Sequence, residues 1–364
     1  MQQTTNRTAL IMLKKAGKQI ISPLLSLLLV FLVSSVILLF SGYSPIAAYG
    51  AMFRGAFGDI GKIADTLGTA TPLILTGLAV AVAMKGGVIN IGCEGQLYVG
   101  AMAAAVTGIY VEGLPGLLHI PLCLLAAMVA GGLWAALAGW LKVKLQTNEV
   151  IVTIMLNYIA IYLTDYLVTY WVKADGMVVK TPNVQNSALL MKLFPHSRLT
   201  IGFIIAVAIT VFLYWMLKKT VFGFELQAMG FNRAAAETGG VNLGKCFMAT
   251  MLISGALAGL AGAVEVLGIH KYFIKGFSPG YGYDGLSIAV LGHNSPFGVA
   301  ISAILFGALR SGATMMDRAT NIPGDFVVIM QALIILFVAT PRIIKELRRR
   351  GIALFTRRKD VKKI

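Results

Sequence analysis

Long apolar runs, parted by short polar or basic stretches, set the pattern of this chain. A helix crosses the hydrocarbon core of a bilayer with about 20 apolar residues. Residues 20–40 form an uncharged run of that kind, preceded by Arg7, Lys14, Lys15 and Lys18. Its apolar core is too long for a secretion signal, so it reads as a retained first span. Further spans are expected over 67–84, 88–110, 117–141, 150–170, 199–217 and 246–269. After that the pattern becomes irregular. A short apolar piece, 285–292, is ended by His293, Asn294, Ser295 and Pro296, and fuller runs cover 297–313 and 326–340. With the short piece as a partial crossing, the pattern predicts an all-α, polytopic membrane protein of about ten transmembrane helices, some of them broken.

Most Lys and Arg fall on one side of this arrangement when the N-terminus is placed inside, with the margin supplied by the basic stretch 342–364. Both termini are then cytoplasmic, which agrees with an even number of crossings. The division is a cytoplasmic segment 1–19, a transmembrane domain 20–341 and a basic cytoplasmic tail 342–364 beside anionic lipid. Within the domain, 171–198 is an extracytoplasmic loop with Pro182 and Pro195, fit to cap a pore, and 218–245 is a cytoplasmic loop. Residues 94–170 and 284–340 share a faint plan. Glu94-Gly95 and Asp284-Gly285 open the two, and an acid (Glu149, Asp325) precedes a β-branched stretch near the end of each. The expected topology sets them in opposite orientations, the inverted-repeat pattern of transporters. Chance similarity between apolar stretches is the competing reading.

Composition agrees. Of 364 residues 57% are hydrophobic and 13% charged, against a charged share of about 25% in soluble domains. That leaves too few polar residues to cover a soluble globule, and disorder, collagen and a disulfide scaffold fail as well. The formal charge of +16 is topogenic rather than a nucleic-acid footprint, because no aromatic-interleaved basic surface accompanies it. Cys93, Cys123 and Cys246 are far apart and lie in or beside apolar segments, so they read as buried free thiols. No metal site, catalytic triad or His-Glu-x-x-His arrangement occurs.

Several polar residues carry the candidate chemistry. Lys85 to Gln96 holds four glycines together with Asn90, Glu94 and Gln96, which makes a continuous helix improbable. Such a break is tolerated where it is buried in protein or lines a wet cavity. It is either part of a translocation pathway or a close packing of helices on glycine with the polar groups satisfied by neighbours. Asn148, Glu149 and Asn157 flank and enter the next span, where Asn148 suits a helix cap. Asp165 and Glu265 are expected near the outer ends of spans, and so exposed. Tyr281, Tyr283 and Asp284 adjoin a broken helix, where an aromatic pair can stack on a ring, although interfacial aromatic belts are an equally good account. Residues 239–246 nearly match a phosphate-binding loop but lack its Ser or Thr, so the chain itself holds no ATP. In Gly230 to Gly240, Asn232 is a natural N-cap, the alanines favour helix and the glycines stop it, giving a short helix with a small-residue face.

The residues Gly230, Asn232, Ala235, Ala236 and Gly240 form a Gly-x-Asn-x-x-Ala-Ala-x-x-x-Gly pattern. It resembles the coupling loop of ABC-importer permeases of the branched-chain amino acid, ribose and nucleoside branch. Asn90-Ile91-Gly92-x-Glu94-Gly95-Gln96 and the stretch from Thr147 to Tyr158 look like that branch's nucleoside-type permeases. One departure is Cys93, where relatives often carry Ala or another small residue. The resemblance implies a bacterial plasma-membrane importer subunit for nucleosides, with ribose or simple sugars as the alternative cargo. It implies no catalytic residue and no cofactor in this chain, ATP and Mg being bound by a separate, often tandem fused, ABC ATPase. A second permease chain, a related but different subunit, and a substrate-binding lipoprotein complete the assembly. Gly230, Asn232, Arg233, Ala235, Ala236, Glu237 and Gly240 would couple to the ATPase. Asn90, Glu94, Gln96, Asn148, Asn157, Tyr283 and Asp284 would line the substrate pathway. An ion-coupled carrier is disfavoured by the scarcity of intramembrane acids and the scatter of the four His residues.

Overall fold

The structure is a computed structural model that describes residues 28–339. The expected cytoplasmic segment 1–19, the beginning of the first span, residue 340 and the basic tail 342–364 lie outside the described residues. The described chain is helical, with two isolated β-bridges and no strand among the described residues. Helix α1 covers Leu28–Phe40. It is followed by α2 Pro45–Phe57, α3 Ile60–Lys85, α4 Cys93–Tyr110, α5 Gly116–Leu145 and α6 Glu149–Tyr170. After a long connection come α7 Gly202–Lys219, α8 Val221–Phe231, α9 Arg233–Thr238 and α10 Leu243–Glu265, then α11 Tyr281–Leu291, α12 Pro296–Thr320 and α13 Phe326–Ala339. Six of these are long and apolar enough to cross a membrane: α3, α5, α6, α7, α10 with the turn that extends it, and α12. The protein is thus a multi-pass helical membrane protein.

Two compact units divide the chain, one of Met52–Met315 and one of the described parts of Met1–Ala51 and Met316–Ile364. In the smaller unit Tyr49 of α2 packs edge-on against Phe31 of α1 and donates its hydroxyl to the Phe31 carbonyl. The larger unit carries the candidate site. At its centre α3 and α10 are buried almost all round, whereas α5, α6 and α7 keep much of their surface outward. An all-apolar helix with no polar face needs such a central position.

Small residues let these helices meet. Gly255 and Gly259, four apart on α10, lie against Gly131, Ala135 and the Ala127 carbonyl of α5, and Gly259 also meets Gly100 of α4. A Cβ at Gly259 would enter the Ala127 carbonyl. Dispersion and backbone approach hold helices together in lipid, where no hydrophobic drive exists between them, so small residues collect at the crossings. The outer face of α5 carries Leu122, Leu125, Val129, Leu133 and Leu137, as a lipid contact requires.

The glycine-rich stretch does interrupt the helix. α3 stops at Lys85, Gly86 closes its last turn, Gly87 turns the chain at φ +66°, and α4 begins at Cys93. Two expectations of exposure are corrected. Glu265 is 2% exposed, and Asp165 is half-buried beside Lys275. The reason is that α10 runs on through a π-helical turn, Val266–His270, and the connection after α6 folds onto it. Thr181 N–H donates to the Phe273 carbonyl, Val184 N–H to Lys271 and Leu190 N–H to Leu267, covering the end where Glu265 sits. All three cysteines are free and buried, as expected.

The α5–α10 crossing gives a first test. Gly259→Val should lower the thermal midpoint of the detergent-purified protein, at a cost of about 1–3 kcal/mol for overpacking. Gly244→Ala, where an added methyl makes only ordinary van der Waals contacts, should not lower it.

Candidate functional site

The break between α3 and α4 leaves backbone groups that no helix can satisfy, and side chains from three helices close it. Asn90 and Gln96 form a reciprocal amide pair: Asn90 Nδ2 donates to Gln96 Oε1 at 3.0 Å, and Gln96 Nε2 to Asn90 Oδ1 at 3.1 Å. Asn90 also donates to Ser254 Oγ on α10 at 2.8 Å, and the Ser254 hydroxyl donates to the Ala79 carbonyl of α3 at 2.7 Å. From α6, Asn157 accepts from Gly95 N–H at 2.8 Å and donates to the Ile91 carbonyl at 2.9 Å. The glycines are needed here: a Cβ on Gly95 would meet the Asn157 backbone, and one on Gly92 the Gln96 amide.

Two helix N-termini abut beside this seam. Glu94, in the first turn of α4, accepts from Gly282 N–H in the first turn of α11 at 2.6 Å. A carboxylate at that point is favoured by the partial positive charge of both helix ends. On α11, Asp284 is bonded by Arg310 of α12 through Nε at 2.9 Å and Nη2 at 2.6 Å. Arg310 also donates to the Pro279 carbonyl and lies over the ring of Tyr281, whose hydroxyl donates to Glu265 at 3.3 Å. Tyr281 is therefore buried, at 4% exposure, and structural. Tyr283 is 43% exposed, beside Asn157 and Tyr158 of α6.

A third cluster lies at the α8–α9 corner. Asn232 caps α9, accepting from Ala235 N–H at 3.1 Å, as its position in the sequence predicts. Gly239 closes that helix, and Gly240 takes φ +89°. Ala234 and Ala235 face outward, with Arg233 and Glu237, while Ala236 is buried. The corner is tied directly to the break. Gly230 lies against the Lys85 carbonyl and Gly87, where a Cβ would not fit, and Arg233 Nη2 donates to the Gly87 carbonyl at 2.9 Å. The stretch 218–245 is thus mostly helical, not an open loop.

Of the sequence-predicted pathway residues, Asn90, Glu94, Gln96 and Asn157 are brought together, buried and bonded to one another or to backbone. Tyr283 and Asp284 lie next to them. Asn148 does not join the cluster: it is exposed and caps α6, accepting from Val150 N–H at 3.0 Å. Its neighbour Glu149 pairs with Lys142 at 2.9 Å. Sequence reasoning missed Ser254, Glu265 and Arg310. Arg310 had a signal, because a lone Arg in an apolar run needs an acid partner. Ser254 had none, since a Ser among Gly and Ala on a membrane helix is ordinary. No group of side chains suited to a metal ion occurs among the described residues.

A multi-pass bundle with a broken, polar-sewn helix inside, and a capped corner bonded to that break, is the build of a transport permease. The chain belongs to the family described as "Branched-chain amino acid transport system / permease component", whose model matches residues 62–339. The chain is 42% identical to the guanosine ABC transporter permease protein NupP of Bacillus subtilis, over 93% of this chain and 99% of that protein. It is 36% identical to the nucleoside ABC transporter permease protein NupB of Lactococcus lactis, over 90% and 93%. It is 35% identical to the glucose ABC transporter permease protein TsgB13 of Haloferax volcanii, over 93% and 92%. In B. subtilis and L. lactis a second permease with the same named cargo also matches, at 29% and 28% identity. No solved structure matches the chain.

The Arg310–Asp284 pair sets a prediction. Arg310→Leu or Asp284→Leu alone should destabilise the purified protein by a few kcal/mol, toward the lower end of the roughly 3–5 kcal/mol typical of broken buried pairs. The Arg310→Leu/Asp284→Leu double variant should recover much of the loss. A thermal melt of the four proteins checks it. Asn157→Leu should cost about 1–3 kcal/mol for each of the two backbone groups it strands.

Proposed function

We propose that this chain is the permease subunit of an ABC importer for nucleosides. The observation that carries this reading is the 42% identity to a guanosine permease across nearly the whole of both chains. The 35% identity to a glucose permease favours simple sugars as the second reading. As a permease the chain is not an enzyme, and ATP and Mg belong to a separate ATPase subunit, which on the family resemblance is a tandem fused one. A surface substrate-binding lipoprotein delivers cargo. The second permease is a related, different chain: B. subtilis and L. lactis each hold two permeases of one named cargo, one more and one less similar to this chain. The setting is a bacterial plasma membrane, with both termini cytoplasmic and about ten crossings in two inverted halves. The abutting N-termini of α4 and α11, each with an acid in its first turn, support the paired halves.

In this reading α9 is the coupling helix. Its exposed Ala234 and Ala235 allow a cleft of the ATPase to approach closely, flanked by Arg233 and Glu237. Gly230, Asn232, Ala236 and Gly240 shape the corner. Motion of α9 reaches the break through Arg233 and the Gly87 carbonyl, a backbone contact at 2.9 Å. The break bears Asn90, and Gln96, Glu94 and Asn157 lie against it, with Tyr283 and Asp284 alongside, so displacement of the corner moves the residues of the pathway. The carboxylates there are already engaged, Glu94 by backbone and Asp284 by Arg310. That suits an uncharged polar cargo better than an ionic one.

Cells lacking the chain should take up labelled guanosine and uridine poorly, and restoring it should restore uptake only while the ATPase is active. Restored glucose or ribose uptake alone would replace the cargo; uptake independent of the ATPase would overturn the reading. Ala235→Glu should weaken ATPase association roughly 30-fold, the loss of a contact worth about 2 kcal/mol. Arg233→Leu should instead keep the ATPase bound and hydrolysing while uptake per ATP falls, measured in reconstituted vesicles. Equal uptake per ATP in that variant would remove Arg233 from the coupling route.

A further inference from the structure

The outward face of α6 is unlike the outward faces of its neighbours. Tyr158, Tyr162 and Tyr166 stand on it at i, i+4 and i+8, with Tyr158 51% and Tyr162 69% exposed. Met155, Ile159 and Leu163 fill the spaces between them. At 1.5 Å per residue, Tyr158 lies about 14 Å and Tyr162 about 20 Å along a helix of roughly 33 Å. Both are mid-span, away from the interfacial levels where tyrosines serve as anchors. Tyr170 and Trp171, at the helix end, fit that anchoring role. Tyr158 and Tyr162 do not, and neither hydroxyl has a hydrogen-bond partner among the described residues.

A phenol hydroxyl facing hydrocarbon at that depth loses its hydration without replacement. Counted back from the short turn that joins the two helices, the same depth on α5 carries Leu133 and Leu137, and on α7, counted from its basic end, Val207 and Val211. Tyr214 of α7 lies one turn from the basic end, with Lys218 over its ring. So the face of α6 differs in kind from two lipid-type faces of the same unit. A second element points at it. Tyr283 of α11, the exposed member of its pair, interacts with the side chain of Asn157 on α6, the residue next to Tyr158.

Resting on the nucleoside reading, we propose that Tyr158, Tyr162 and Tyr166 of α6, with Tyr283 of α11, form the aromatic wall of a water-filled translocation pathway on which the heterocyclic base of the substrate stacks as it passes. The wall offers rings for the base and free hydroxyls for its edge or for the sugar. No unpaired charge interrupts it, since Asp165 is turned to Lys275. A run of similar sites suits passage, because each holds the ring weakly and hands it to a like neighbour one turn on. Base–aromatic stacking is tolerant of base identity, so such a wall passes purine and pyrimidine nucleosides alike and leaves selection to another component.

The test uses the full importer in membranes. The native cysteines are buried, so a single introduced thiol can be followed. Tyr162→Cys should react readily with a membrane-impermeant, water-soluble thiol reagent, and Leu133→Cys on α5 should not. Added guanosine should slow the reaction. Tyr158→Leu/Tyr162→Leu should lower guanosine uptake by about tenfold or more, the scale of one lost stacked base, with normal membrane abundance and ATPase association. Tyr158→Phe/Tyr162→Phe should retain most of it. A Tyr162→Cys protein as unreactive as Leu133→Cys would overturn the wet wall. Ready labelling together with normal uptake by the double Leu variant would overturn stacking. Failure of the nucleoside reading looks different: the unaltered importer would take up no guanosine, and guanosine would not slow labelling.

Discussion

A helix that breaks inside a membrane protein must find partners for every backbone group it frees, and that requirement organises this structure. The break between Lys85 and Cys93 is closed by Asn90, Gln96, Asn157 and Ser254, drawn from the break itself, α4, α6 and α10. The low dielectric that makes an unpaired group costly also makes a completed network rigid. The glycines at 92 and 95 follow from it, because the amides need to come within bonding distance of main chain. So does the burial of α10, whose Ser254 has to reach the seam and the Ala79 carbonyl at once.

Around that seam the structure places groups of three kinds. Carboxylates are engaged: Glu94 by the Gly282 N–H, Asp284 by Arg310, Glu265 by the Tyr281 hydroxyl. Aromatic rings form a buried set, Tyr98, Phe273, Phe277 and Tyr281, and an exposed set on α6 and α11. A basic residue, Arg233, connects the capped corner to the break through a carbonyl.

Much of this was legible in the sequence, and the limits have physical causes. Apolar length marked the spans, because lipid forbids polar interruptions there. Clustered glycines marked the break, and Asn232 marked the cap of α9. Partners were not legible. Nothing in the sequence says that Ser254 meets Asn90 or that Arg310 meets Asp284, for each bond joins residues far apart along the chain. Glu265 was expected at an exposed end because the π-helical turn after it, and the folding of residues 181–190 onto that turn, depend on backbone bonds that side-chain pattern does not encode. Buried and pathway readings of Asn90, Glu94 and Gln96 look alike in sequence, since both demand polar groups at a break.

The bond between Asn90 and Ser254 spans 164 residues, and this has a consequence for biogenesis. Synthesis proceeds from the N-terminus, so α3 and α4 enter the bilayer long before α10 exists. During that interval the amides of Asn90 and Gln96 have only each other and the Gly92 N–H, and the groove meant for Ser254 faces lipid or the insertion machinery. Arrival of α10 is therefore the event that seals the nascent bundle. A chain released before residue 243 carries an open polar notch at membrane depth, a mark by which quality-control proteases can tell an unfinished copy from a finished one.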